Sequence, residues 1–144
     1  MRFMLLVHAT NETEAGEKPS QELADAMMKY NEELAKAGAL VAAEGLYPSS
    51  AAVRISYSAA GGKPKIMDGP FTEAKELIAG FTIIEVSSKE EAIEWARRMP
   101  NPYPSGEGSI ELRQIFEAPE INENADWLAK EIELREHVTR KKRP

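Results

Sequence analysis

Chemistry in this chain has few places to reside. Of its two histidines, His8 ends the apolar run Phe3-Met4-Leu5-Leu6-Val7, where alternation places it with Met4 and Leu6 and opposite Phe3, Leu5 and Val7. An imidazole at a strand end titrates near neutrality and can act as general acid or base; the plainer reading is a histidine bonded to a neighbour. Asp68 lies in Met67-Asp68-Gly69-Pro70-Phe71-Thr72-Glu73-Ala74-Lys75-Glu76, a turn and a rigid proline set among charged side chains between two strand-like runs. Pro70 fixes φ and removes a donor, and Gly69 permits a backbone conformation closed to other residues. Asp68-Gly69 has two compatible uses, an Asx turn or a carboxylate held rigidly at a cavity mouth as acid, base or anchor.

Glu44 interrupts the apolar stretch Leu40-Val41-Ala42-Ala43. A carboxylate there is costly to bury unpaired and calls for a cation or a cavity. Arg113 is its natural partner, with Glu111 two residues away on the same strand face; the set reads as a buried ion network or a substrate cradle. Lys75 and Glu76 read as a surface ion pair worth little, or, for Lys75, as a further substrate contact. His137, close to Arg135 and Arg140, reads as a solvated helix residue, and the tail Arg140-Lys141-Lys142-Arg143 as a solvated end or a polyanion contact. No glycine-rich phosphate loop, dinucleotide fingerprint or G-x-S-x-G elbow is present. Two distant histidines and no cysteine argue against a zinc site, and neither metal nor cofactor is expected.

The elements that must position these residues follow from periodicity. Phe3 to Val7 reads as a strand covered on both faces. Leu23, Met27, Tyr30 and Leu34 recur at helical spacing between an N-cap at Ser20 and a stop at Gly38. Strands are expected at Leu40–Leu46, Ala52–Tyr57, Lys65–Met67 and Leu77–Val86, then a helix capped by Ser87-Ser88 and running to Met99, stopped by Pro100. Ser109–Glu117 alternates into a strand with one ionic face, and a last helix from Asn122 carries Trp127, Leu128, Ile132, Leu134 and Val138. The order is that of a split βαβ, ferredoxin-like α+β sheet with an added hairpin strand. Its helices lie on one face, so the apolar other face is expected to meet a second copy about a two-fold axis.

The chain has 144 residues, the size of one domain. With no cysteine there is no disulfide. A net charge of −6 argues against general nucleic-acid binding. The opening residues lack a signal-peptide pattern and no run approaches a membrane span, so a cytoplasmic protein is expected.

Asp68-Gly69-Pro70-Phe71, followed by Glu73, Lys75, Glu76, Gly80-Phe81 and Glu85-Val86, resembles the DGPF-domain group of YCII-related proteins. The likeness extends from Phe3-Met4-Leu5-Leu6 through Gly45-Leu46 and Glu90–Ala96 to Ile110-Glu111-Leu112-Arg113. Ala79, Gln114 and the long terminal helix depart from the family pattern. The resemblance implies a ferredoxin-like domain over residues 1–118 that pairs as a dimeric α+β barrel, with residues 119–144 an added helix and basic tail. It also implies a His/Asp pair in a cleft with hydrolase-like activity, and an association with extracytoplasmic-function sigma factors; Asp68 carries over from the motif, and His8 joins it by position.

Three functions compete. In the first, a homodimer holds a small polar or anionic metabolite between sheet and helices. Asp68 and His8 transfer protons there, and Glu44, Lys75, Glu111 and Arg113 bind the substrate. In the second, the terminal helix makes the chain an accessory or regulatory interaction module in sigma-factor-dependent transcription. The third, by fold analogy alone, is a cofactor-independent oxygenase or isomerase.

Overall fold

The computed structural model describes residues 1–141; the side chain of Lys75 and residues 142–144, the outer part of the basic tail, lie outside the described residues. Six strands and five helices follow in the order β1 (Arg2–His8), α1 (Asn11–Glu14), α2 (Gln21–Lys36), β2 (Leu40–Gly45), β3 (Val53–Ser56), β4 (Lys65–Asp68), β5 (Ile78–Glu85), α3 (Lys89–Arg98), β6 (Ile110–Gln114), α4 (Ala118–Ile121) and α5 (Ala125–Lys141). Single 3-10 turns occupy Ser49–Ala51 and Ala74–Glu76. Four strands form one antiparallel sheet in the order β2-β5-β1-β6, and β3 pairs with β4 as a separate hairpin. This is the expected split βαβ α+β architecture: β1-α2-β2 and β5-α3-β6, with the hairpin inserted between the halves.

Local chemistry sets the helix ends. The Ser20 hydroxyl accepts from Leu23 N–H at 3.2 Å to open α2, and Gly38, at φ +72°, takes the left-handed conformation that closes it. Ser88 opens α3 by accepting from Glu91 N–H at 3.1 Å. The short α1, for which no periodicity signals a helix, is held by a reciprocal Thr10–Thr13 capping box.

α2 and α3 cover one sheet face, where Phe3, Leu5 and Ile84 are buried against Tyr30, Leu34, Ala92 and Trp95. Tyr30 meets Trp95 edge to face at 6.2 Å and donates its hydroxyl to Trp95 O at 2.7 Å. Burial pushes the Tyr30 phenol up to about 12, partly offset by Arg98. Arg98 lies 4.2 Å over the Trp95 ring and pairs with Glu33 at 2.7 Å, tying the two helices together.

Met4, Leu6, Phe81 and Ile83 point to the opposite face by register. Trp127 and Leu128 on α5 are half-buried, whereas Ile132, Leu134 and Val138 are exposed. Arg2 pairs with Glu117 at 3.3 Å beside α4, and this guanidinium holds the Glu117 carboxyl below its usual range. No helix among the described residues is long and apolar enough to cross a membrane.

Candidate functional site

The Asp68–Phe71 segment is a lock between distant parts of the chain. Gly69 N–H donates to Ala52 O at 2.8 Å. Phe71 N–H donates to the buried Ser49 hydroxyl at 3.0 Å. That hydroxyl donates to Glu14 Oε1, and Glu14 Oε2 accepts from Ser49 N–H at 2.8 Å. Arg54 lies 3.9 Å over the Phe71 ring. The need for glycine differs from the expectation: φ at Gly69 is not positive, but a Cβ there would lie 1.7 Å from Ser49 O. Close approach, not a left-handed backbone, excludes a side chain. The Gly69-Pro70 peptide is cis. Asp68 is exposed at the end of β4, and no hydrogen bond or ion pair joins it to His8 among the described residues. The backbone of Lys75 lies in the second 3-10 turn, and its side chain is outside the described residues.

His8, Glu111 and Arg113 come together on the sheet face away from α2 and α3. His8 Nδ1 is 3.1 Å from Ser109 Oγ, and Nε2 is 3.8 Å from Glu111 Oε1. Glu111 Oε2 is in turn 3.7 Å from Arg113 Nε. Tyr103, buried, sets its hydroxyl at His8 O (2.9 Å) and Ser109 O, and burial raises its pKa. The Arg113–Glu44 pairing is corrected by the strand order: β2 and β6 are the two edges of the sheet. Glu44 heads the row Glu44–Phe81–Leu6–Glu111, so three strand spacings, about 14 Å, separate it from β6. Glu44, Glu111 and Arg113 do not arrive on neighbouring strands. They flank an apolar middle formed by Ala42, Ile83, Met4, Phe81 and Leu6.

A cleft of about 310 Å³ opens on the other face, between α2 and the sheet. Val7, Leu23, Ala24, Met27 and Ala43 make its walls apolar, and Pro102 and Pro104 edge it. Gly45 faces Gly80 across the β2–β5 pair that forms part of its lining, so neither residue fills the space with a side chain. Its polar side chains are Thr13, Glu17, Asn31 and the buried Thr82, with Glu44 bordering it along β2 while its side chain takes the other face by register, and the lining contains no Lys, Arg or His among the described residues. Asn31 Oδ1 is buried with no hydrogen-bond partner. Among the described residues, Glu44 is the one candidate site residue that borders this space, along the β2 edge. His8 follows the lining residue Val7 in sequence, but its side chain takes the opposite face of the sheet. The readable signal was the Leu23, Met27, Asn31 spacing, which sets an amide into an apolar helix stripe.

Comparison with known proteins adds three findings. An uncharacterized protein of Rhizobium meliloti (strain 1021) is 38% identical over 102 residues, 71% of this chain and 77% of that protein. Among solved structures, the chain is similar to 5-chloro-2-hydroxyhydroquinone dehydrochlorinase of Burkholderia phenoliruptrix AC1100, in complex with 2,5-dihydroxybenzoquinone. That likeness has 12% identity and a TM-score of 0.44, covers 82% of this chain and 96% of the other, and carries nothing about chemistry. The model of the YCII-related domain matches residues 1–119. The chain belongs to the YCII-related domain family.

Proposed function

We propose that this YCII-related chain is a homodimer that binds a small molecule in the cleft between α2 and the sheet. The observation that carries the reading is the cleft itself: a ligand-sized apolar space at the end of the sheet with a buried amide oxygen left unpaired. The apolar middle of the open sheet face supports pairing of two copies there, because such a surface gains stability when a second copy removes it from water. His8 lies across the sheet from this cleft, between the Ser109 hydroxyl and the Glu111 carboxylate, so its acid–base role in this reading belongs to the face on which the two copies pair. Glu111 and Arg113 are its charged neighbours in this reading, Glu44 lies on the same face at the β2 edge, and Asp68 and Lys75 are assigned to the hairpin side.

A second reading has one observation in its favour. Ile132, Leu134 and Val138 leave an apolar surface on α5, as an interaction module for a regulatory partner would. Amide chemical-shift mapping with a library of small uncharged and charged compounds separates the two. Shifts gathered on Val7, Leu23, Met27 and Thr82 support the cleft; an absence of any hit there, with partner binding lost on removal of residues 119–144, supports the module instead.

A further inference from the structure

We infer that the cleft takes an uncharged, largely apolar molecule carrying one hydrogen-bond donor, and that Asn31 is the residue that selects it. This rests on the cleft reading above and narrows its ligand. The polar or anionic metabolite expected from the sequence needs a cation to meet it, and the described lining has none, its one acidic side chain on this face being Glu17. The walls from Val7, Leu23, Ala24 and Met27 reward removal of apolar surface from water. Against that background one polar atom stands out. Asn31 Oδ1 is buried and unpartnered, on the α2 stripe that Leu23 and Met27 also form. An unpaired buried acceptor is a standing cost that a ligand N–H or O–H relieves, so the site favours a donor over an isosteric group without one.

Three matched probes test this by chemical-shift titration of the full chain: cyclohexylmethanol, its methyl ether and cyclohexanecarboxylate. The alcohol is expected to shift the amides of Leu23, Met27, Asn31 and Thr82, the ether to bind about tenfold more weakly, and the carboxylate to leave them unmoved. Asn31→Leu is expected to abolish the advantage of the alcohol over the ether; the wild-type comparison stands even where that variant does not fold. An ether that binds as well as the alcohol overturns the donor assignment. A carboxylate that binds as well overturns the uncharged class. In either case the cleft is still a ligand site. Only when none of the three moves the cleft residues does the cleft reading fall, and the inference with it.

Discussion

Replacing Gly69 by Ala tests what the Asp68–Phe71 segment is for. The new Cβ would sit 1.7 Å from Ser49 O and 2.8 Å from Ser49 C, and both are backbone atoms that cannot swing aside. Relief requires the segment to separate from the Ser49–Ala51 turn. Separation breaks the Gly69 N–H bond to Ala52 O and the Phe71 N–H bond to Ser49 Oγ, each worth about 1 kcal/mol net. It also disturbs the buried Ser49–Glu14 contact that holds α1. The expected loss is about 2–4 kcal/mol, seen as a drop of roughly 5–15 °C in Tm for a chain of this size. Urea unfolding gives the magnitude, and hydrogen exchange gives the place: the Gly69 and Phe71 amides should lose protection before the core. Asp68→Asn, at an exposed position, should stay within about 0.5 kcal/mol of wild type. A Gly69→Ala protein with unchanged unfolding midpoint and a still-protected Phe71 amide would refute the lock.

Three further outcomes are expected. Tyr30 has a folded pKa of about 12 against an ordinary 10.0, so its contribution is complete below pH 10 and is lost as pH rises through 12. Urea melts across that window should show a fall of about 2–3 kcal/mol, which Tyr30→Phe removes after losing about 1 kcal/mol at neutral pH with the bond to Trp95 O. Glu117, its carboxyl held low by Arg2, stabilises the docking of α4 above its ordinary 4.5 and loses this as pH falls through its folded value. Because the pair is largely exposed, Glu117→Gln should cost only about 0.5 kcal/mol at pH 7 and nothing at pH 2. Ile83→Lys puts a charge among Met4, Ala42 and Phe81 on the open face; sedimentation velocity should show the proposed dimer become a monomer with unchanged circular dichroism, and a persisting dimer removes that face as the interface.

Much of the fold is legible because its causes are local. The apolar runs of β1 and β5, the Ser20 and Ser88 caps and the Gly38 stop each signal an element within a few residues of themselves. α1 escaped because four residues with a capping box carry no periodicity. The site was harder to read because it depends on which strands are neighbours. Glu44 and Arg113 each carried a sound local argument, yet β5 and β1 lie between their strands. Gly69 was recognised as indispensable for the wrong reason, since the Ser49 carbonyl that excludes a side chain is twenty residues away in sequence. Tyr103 and Ser109, which brace His8, gave no local sign of doing so.

Native mass spectrometry of the protein as purified from cells, alongside a Leu23→Trp variant, addresses the cleft most directly. Indole in place of the Leu23 side chain occupies the space bounded by Val7, Met27 and Thr82 without touching His8 or the Asp68–Phe71 lock. The account predicts a dimer that carries a small uncharged molecule in the wild type and a dimer without it in the variant. A bound molecule that survives Leu23→Trp contradicts it, for it would place the ligand elsewhere on the protein.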